Sequence, residues 1–173
     1  KRLESNPDRI PALSRHINRE LNNAMRRSEA MLAPRISLLE ANLKALHHLA
    51  AQLPDSVEVQ RELLSSLTLL GDIHHKADAC KKAKECAFEA LIVAKALISQ
   101  APGNEEIKRS MARAYQLLGE SQWKAGNKQI AGKLFAKSLE IAQRMVKRNP
   151  YNEDYQWDFS VALNRMGDYC KSS

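Results

Sequence analysis

The feature that most constrains this chain is an internal repeat with a period of 48 residues. Three of the six prolines and three of the six glycines obey it, at Pro54, Pro102 and Pro150 and at Gly71, Gly119 and Gly167. The residue after each of these glycines is acidic, at Asp72, Glu120 and Asp168. A fixed period of about 20–50 residues is typical of repeat architectures, in which stacked units share one continuous core. The period therefore predicts a stack of similar units.

Within each unit, apolar residues recur at i, i+4, i+8 and i+11, which places them on one face of a helix. The three sets are Val59, Leu63, Leu67 and Leu70; Ile107, Met111, Tyr115 and Leu118; and Tyr155, Phe159, Leu163 and Met166. A second stripe follows in the two complete units, at Leu91, Val93 and Leu97 and at Leu139, Ile141 and Met145. Each unit is thus predicted to contain two long helices, over about 104–125 and 128–148 in the clearest copy. Gly126 and Asn127 tolerate positive φ and end the first helix, and Pro150 follows the second.

The period divides the chain into one predicted domain, residues 1–173, with about seven helices. Residues 54–101 and 102–149 are the two complete repeats, residues 1–53 are a degenerate repeat, and residues 150–173 are half a repeat. In the degenerate repeat, the first helix is indicated by an apolar stripe at Leu13, Ile17, Leu21 and Met25. The fold class predicted is all-α, an α-solenoid of antiparallel helix pairs.

Composition agrees with a folded helical chain and excludes several other classes. Of the 173 residues, 44% are hydrophobic and 27% are charged, which argues against disorder. No uncharged stretch approaches the roughly 18 residues that a membrane span needs. Cys80, Cys86 and Cys170 form no CxxC pair, and their odd number is a poor disulfide framework, so we expect a cytoplasmic protein. Because the chain starts at Lys1, we expect a fragment or a processed product of a longer protein.

The spacing around each glycine resembles the tetratricopeptide repeat, whose pattern is Trp-x2-Leu-Gly-x2-Tyr, then Ala-x3-Phe, then Pro. The clearest copy matches it at Tyr115, Leu118, Gly119, Ala131, Phe135 and Pro150, with Gln122 at the second aromatic position. The period of 48 residues is longer than the usual 34 or so. The stretch NPYNEDYQWDFSVALNRMGD, at 149–168, is similar to a long-helix variant found in large bacterial signalling and effector-like proteins. That resemblance implies a right-handed superhelix whose first helices line a concave groove.

The resemblance also implies which residues contact a partner protein. The groove positions of the family fall on Ser65, Thr68, His75, Arg113, Gln116, Trp123, Lys124, Val161 and Asn164. The recurring acidic residues Asp72, Glu120 and Asp168 are expected to form a stripe beside them. Because Arg113 and Glu120 lie away from the apolar stripe or at its edge, we expect both to be exposed. Trp123 is either a binding hot spot or a packing residue between helices.

Other kinds of chemistry have weaker support. His74, Asp78 and Cys80 have spacings that could hold a metal, but no HExxH or CxxC motif accompanies them, and we expect neither metal nor cofactor. The lysines near Cys80 could activate its thiol, but no catalytic constellation surrounds it, so we expect no enzyme. A basic block favours nucleic-acid binding as an alternative, although no aromatic residues interleave with Lys124, Lys128, Lys133, Lys137, Arg144, Lys147 and Arg148.

The leading hypothesis is therefore a non-catalytic scaffold that binds a peptide or helix of a partner protein in a concave groove. A nucleic-acid-binding helical repeat is the first alternative. Self-association through the incomplete last repeat is the second, because the apolar face of a half repeat lacks its second helix.

Overall fold

The computed structural model describes residues 12, 14–16, 19–20 and 31–171, and all of its regular structure is helical. Six helices have defined bounds: α1 (Leu32–Gln52), α2 (Val57–Lys76), α3 (Cys80–Gln100), α4 (Glu105–Lys124), α5 (Lys128–Arg148) and α6 (Glu153–Lys171). Residues 12, 14–16 and 19–20 are helical too, as the predicted first helix requires. No strand occurs in this described part of the chain, so the all-α prediction is confirmed. The stripe predicted at Leu13, Ile17, Leu21 and Met25 lies outside the described residues.

The period found in the sequence is also the period of the helix boundaries. Helices α1, α3 and α5 begin at residues 32, 80 and 128 and end at residues 52, 100 and 148. Helices α2, α4 and α6 begin at residues 57, 105 and 153. In the clearest copy, the predicted helices over about 104–125 and 128–148 agree with α4 and α5 to within one residue. Pro34 lies in the first turn of α1, where a missing backbone N–H costs no helical hydrogen bond.

Local signals explain why the first helix of each unit begins where it does. Ser56 and Asn104 accept a hydrogen bond from the backbone N–H three residues later, and Asn152 does the same for Tyr155. Acidic residues follow in the first turn of each of these helices and stabilise the positive end of the helix dipole. The turn between α4 and α5 uses Gly126 at φ 81°, whereas the equivalent turn between α2 and α3 uses Asp78 at φ 55°. Aspartate is among the few other residues that adopt this left-handed conformation readily.

Each helix packs on the next along the chain, and α2 also packs on α4, so first helices of successive units are in contact. The stripe residues Leu63, Leu67, Leu91, Leu97 and Leu118 belong to one core cluster that extends across both complete units. A two-helix unit could not bury both its faces alone, and the neighbouring unit covers the remaining face. In the described part of the chain, no helix is long and apolar enough to cross a bilayer.

Gly119 lies in the middle of α4, at a close approach to α5. A Cβ atom at this position would lie 2.6 Å from Cε1 of Phe135, a distance that real Cβ atoms do not adopt. A mid-helix glycine costs about 1 kcal/mol relative to alanine, and seating the Phe135 ring offsets that cost. Gly71 and Gly119 both lie in helices and are buried.

Candidate functional site

The predicted groove residues separate into two neighbouring cavities. Ser65, Thr68 and Asp72 of α2 and Arg113 and Gln116 of α4 line a groove of about 660 Å³. Its other lining residues are Leu69, Glu106, Arg109, Ser110, Ala112, Ser138, Ala142, Asp154, Trp157 and Asp158. Helices α2, α4 and α6, which are the first helices of three successive units, therefore form its walls.

Small side chains lie at the floor of the groove. Ala112, Ser138 and Ala142 line it and are at most 7% exposed. One repeat earlier, the position of Ala112 is occupied by Leu64, which is buried, and the positions of Ser138 and Ala142 are occupied by Ala90 and Ala94. The groove belongs to both complete units and α6, because α2 of the first unit forms one of its walls.

Arg113 joins two groove walls through a bidentate ion pair with Asp72. Its Nε lies 3.0 Å and 2.9 Å from the two carboxylate oxygens, and its terminal nitrogen lies 2.9 Å from one of them. Burial disfavours the charged guanidinium, but the pairing with Asp72 outweighs it and raises the pKa of Arg113 above its usual value. This pair holds α2 against α4, so both residues serve the shape of the groove.

A second set of arginines repeats with the sequence period. Arg61 of α2 pairs with Glu106 of α4, and 48 residues later Arg109 of α4 pairs with Asp154 of α6 at 3.1 Å. Arg109 also donates a hydrogen bond to Asp158. Each arginine reaches the acidic first turn of the following first helix, so the same contact ties successive units together along the groove.

Glu120 and His75, expected to face a partner, instead contact each other, and Glu120 is buried. The Glu120 carboxylate lies 2.8 Å from Nε2 of His75 and 2.6 Å from Nε of Arg165, and it accepts a hydrogen bond from Gln116 at 3.1 Å. It is only 7% exposed, and Gln116 is 9% exposed. The expectation that Glu120 is an exposed residue is therefore wrong. The physical reason is that side chains from both neighbouring first helices converge on its carboxylate and compensate its burial.

Trp123 lines a small pocket of about 90 Å³ and packs between helices. The pocket is lined by Glu120, Trp123, Phe135, Arg165, Asp168 and Tyr169. The indole ring lies 6.4 Å from the Phe135 ring and 5.9 Å from the Tyr169 ring, centroid to centroid. The second contact is edge-to-face, an arrangement that aromatic pairs prefer. These contacts account for Trp123 as a packing residue, and its role as a binding hot spot stays a prediction.

The remaining predicted residues do not complete either surface. Lys124 forms an ion pair with Asp78, which lies in the turn between α2 and α3. The hydrogen bond from Lys124 lowers the pKa of Asp78. Asn164 is exposed on α6 and lines neither cavity. Of the acidic residues predicted to form a stripe, Asp72 lines the groove, whereas Glu120 and Asp168 line the small pocket.

The groove is also lined by Trp157, Arg109, Asp154 and Asp158, which no sequence motif indicated. Trp157 is 66% exposed, which makes it the largest exposed aromatic surface there. The repeat period could have indicated Trp157, because it lies 48 residues after Arg109 and 96 residues after Arg61. Both of these arginines form ion pairs with the first helix of the next unit.

The residues considered for metal, thiol and nucleic-acid chemistry do not line the groove. Among residues 31–171 and the few described before them, no three candidate metal ligands come together. Cys86 is buried, which raises the pKa of its thiol to about 11. The basic side chains between Lys124 and Arg148 named above are all exposed, and most of them lie on α5.

Comparison with known proteins gives a structural similarity but no family. No protein-family model matches the chain, and no curated protein matches it. One similar solved structure is the crystal structure of a de novo designed helical repeat protein, at 14% sequence identity and a TM-score of 0.46. The similarity covers 96% of this chain and 97% of the designed one.

Proposed function

We propose that this protein is a non-catalytic interaction scaffold of the tetratricopeptide type, which binds a peptide or helix of a partner protein. The observation that carries the proposal is the groove of about 660 Å³ between the first helices of three successive units. Its walls are held in place by ion pairs, Arg113 with Asp72 and Arg109 with Asp154 and Asp158, so little ordering is needed when a partner binds.

We further infer that the scaffold acts in the cytoplasm as part of a larger bacterial signalling protein. The unpaired state of Cys80, Cys86 and Cys170 is consistent with a reducing compartment. The similarity of residues 149–168 to the long-helix bacterial variant supports the assignment to signalling proteins.

The test is a peptide selection followed by obstruction of the groove. Peptides are selected from a displayed random library on the parent protein, and their affinities are measured by fluorescence anisotropy. The variant Ser65→Tyr with Ser110→Tyr fills the groove with two rings, and Lys133→Ala with Lys147→Ala changes two exposed positions on α5 as the control.

We expect the groove variant to lose at least about tenfold in affinity, because two buried contacts of about 1 kcal/mol each are displaced. The α5 control should bind like the parent. Unchanged affinity of a folded groove variant would contradict the proposal.

Nucleic-acid binding is the second candidate, and the exposed basic side chains of α5 favour it. The same proteins can be titrated with labelled duplex DNA and single-stranded RNA over a range of salt concentrations. Binding that weakens steeply with salt and is lost in the α5 variant would support this candidate and place the site outside the groove.

A further inference from the structure

The groove is acidic although the chain as a whole is basic. The full sequence has a net charge of +7, but the groove is lined by four carboxylates, Asp72, Glu106, Asp154 and Asp158, and only two cations, Arg109 and Arg113. Among the described lysines, none lines it. An excess of carboxylates on one surface of a basic chain indicates a partner whose charge complements that surface rather than the whole protein.

The four carboxylates differ in how much of them a partner could reach. The side chains of Asp72 and Asp158 are 20% and 18% exposed and are held by the two groove arginines. Glu106 and Asp154 are 65% and 71% exposed, and each makes one surface ion pair, with Arg61 and Arg109. Exposed pairs of this kind are worth about 0–1 kcal/mol, so an incoming cation can share these two carboxylates at little cost.

Trp157 adds an aromatic surface beside one of these carboxylates. It lies three residues after Asp154 on α6, so the two side chains are neighbours on the same helix face. The ring is 66% exposed and lines the groove. At the equivalent positions the two preceding units carry Arg61 and Arg109, which supply the cation to the next acidic turn. At Trp157 the chain supplies a π-face instead, and guanidinium groups bind such faces well.

We propose that the groove binds an arginine-containing basic segment of a partner protein, with one guanidinium on Trp157 and Asp154 and a second cation on Glu106. This inference rests on the proposed function, since it names the class of partner for the same groove. The hydroxyl groups of Ser65 and Ser110, which also line the groove and are at least partly exposed, offer hydrogen bonds to the backbone of such a segment.

The experiment compares three labelled peptides of equal length and equal helix propensity, in which alanine and leucine alternate with arginine, lysine or glutamate. Affinities are measured for the parent and for Glu106→Gln, Asp154→Asn, their double variant, Trp157→Leu and Trp157→Phe. Glu153→Gln is the matched control, because Glu153 is an exposed acid next to Asp154 that does not line the groove. Thermal unfolding followed by circular dichroism establishes that each variant is folded.

We expect the arginine peptide to bind best, the lysine peptide less well and the glutamate peptide least. Each charge-neutralising variant should lower the affinity for the arginine peptide about threefold, and the double variant should lower it about tenfold. These are the losses expected for exposed charge contacts. Trp157→Leu should weaken it about threefold and Trp157→Phe should restore most of that loss. The Glu153→Gln control should bind like the parent.

The outcomes separate this inference from the proposed function. If the groove-filling variant Ser65→Tyr with Ser110→Tyr abolishes peptide binding but the three peptides bind equally well, the inference is overturned and the proposed function stands. If filling the groove leaves all binding intact, both are overturned. Tighter binding of the glutamate peptide, or dimerisation that is lost on Asp154→Asn without any arginine-peptide binding, would also overturn the inference.

Discussion

The units 54–101 and 102–149 have the same helix boundaries when offset by 48 residues, but they fill the space between their helices differently. An ideal Cβ atom placed on Gly71 in the first unit would lie 3.1 Å from Leu117 and 3.4 Å from Cys86. Gly119 in the second unit faces the Phe135 ring at 2.6 Å, where the first unit has Ala87. The repeated glycine therefore makes a tight contact with the end of an aliphatic side chain in one unit and accommodates an aromatic ring in the next.

The third copy of the glycine extends the comparison. Gly167 on α6 has no atom within 4 Å of an ideal Cβ and is exposed, because no helix follows α6 in the described structure to cover this face. Leu163 at the position of Tyr115 is 45% exposed for the same reason, whereas Tyr115 is 9% exposed. The same repeated residue therefore contributes differently to the free energy of unfolding in each unit. Its contribution depends on which side chain of the neighbouring helix lies opposite it.

The largest effect should come from Gly119→Leu. Overpacking costs about 1–3 kcal/mol, which exceeds the gain of about 1 kcal/mol in helix propensity, so we expect a net loss of stability. Chemical denaturation measures the free energy of unfolding. Gly167→Leu is the matched control and should not destabilise, because its site is open.

A double variant tests the cause of that loss. With Phe135→Ala the ring is absent, so Gly119→Leu should cost less than it does in the parent, by a coupling of about 0.5–3 kcal/mol. A Gly119→Leu protein as stable as the parent would contradict the close-contact argument for this glycine.

A smaller and ordered effect is expected from alanine at the three glycines. Gly167→Ala should stabilise by up to about 1 kcal/mol, because alanine has the better helix propensity and meets no neighbour. Gly71→Ala should be within about 0.5 kcal/mol of the parent, since the end of the flexible Leu117 side chain can move. Gly119→Ala should destabilise by about 1 kcal/mol, because two atoms of the Phe135 ring lie 2.6 Å and 2.7 Å from an ideal Cβ and the ring would have to move as a whole. Equal stabilities for Gly119→Ala and Gly167→Ala would show that the two environments do not differ.

The smallest effect concerns His74, which is buried in the first unit where the second has Gln122. Burial and the nearby Lys82 lower the pKa of His74, and the carboxylates of Glu40 and Glu85 partly oppose them. The unfolded chain therefore binds a proton more readily than the folded one, and the free energy of unfolding should fall as the pH drops below about 6.5.

His74→Gln introduces the residue of the second unit and should make this fall shallower. Denaturation curves recorded between about pH 5 and pH 7 measure the slope, which should be less steep in the variant than in the parent. His48→Gln, which changes an exposed histidine on α1, is the matched control for the loss of a histidine side chain. Parallel profiles for the parent and His74→Gln would contradict the assignment of this pH dependence to His74.

The sequence by itself determined the number, length and boundaries of the helices. These depend on signals within a few residues, such as the cap at Asn104, the positive φ at Gly126 and the apolar stripe at Ile107 and Leu118, and each signal repeats every 48 residues. The repeat and the all-α class follow from them because such local interactions do not depend on the rest of the fold.

Only the tertiary structure decided which polar side chains face the groove. Glu120 is buried because His75 and Arg165 reach it from the two neighbouring first helices, and Trp157 lines the groove because α6 packs on α5 and is linked to α4 by ion pairs. Both outcomes depend on the distance between helices and on the size of the side chains between them. Helical periodicity specifies the face on which a residue lies, but it contains no information on how closely the next helix approaches that face.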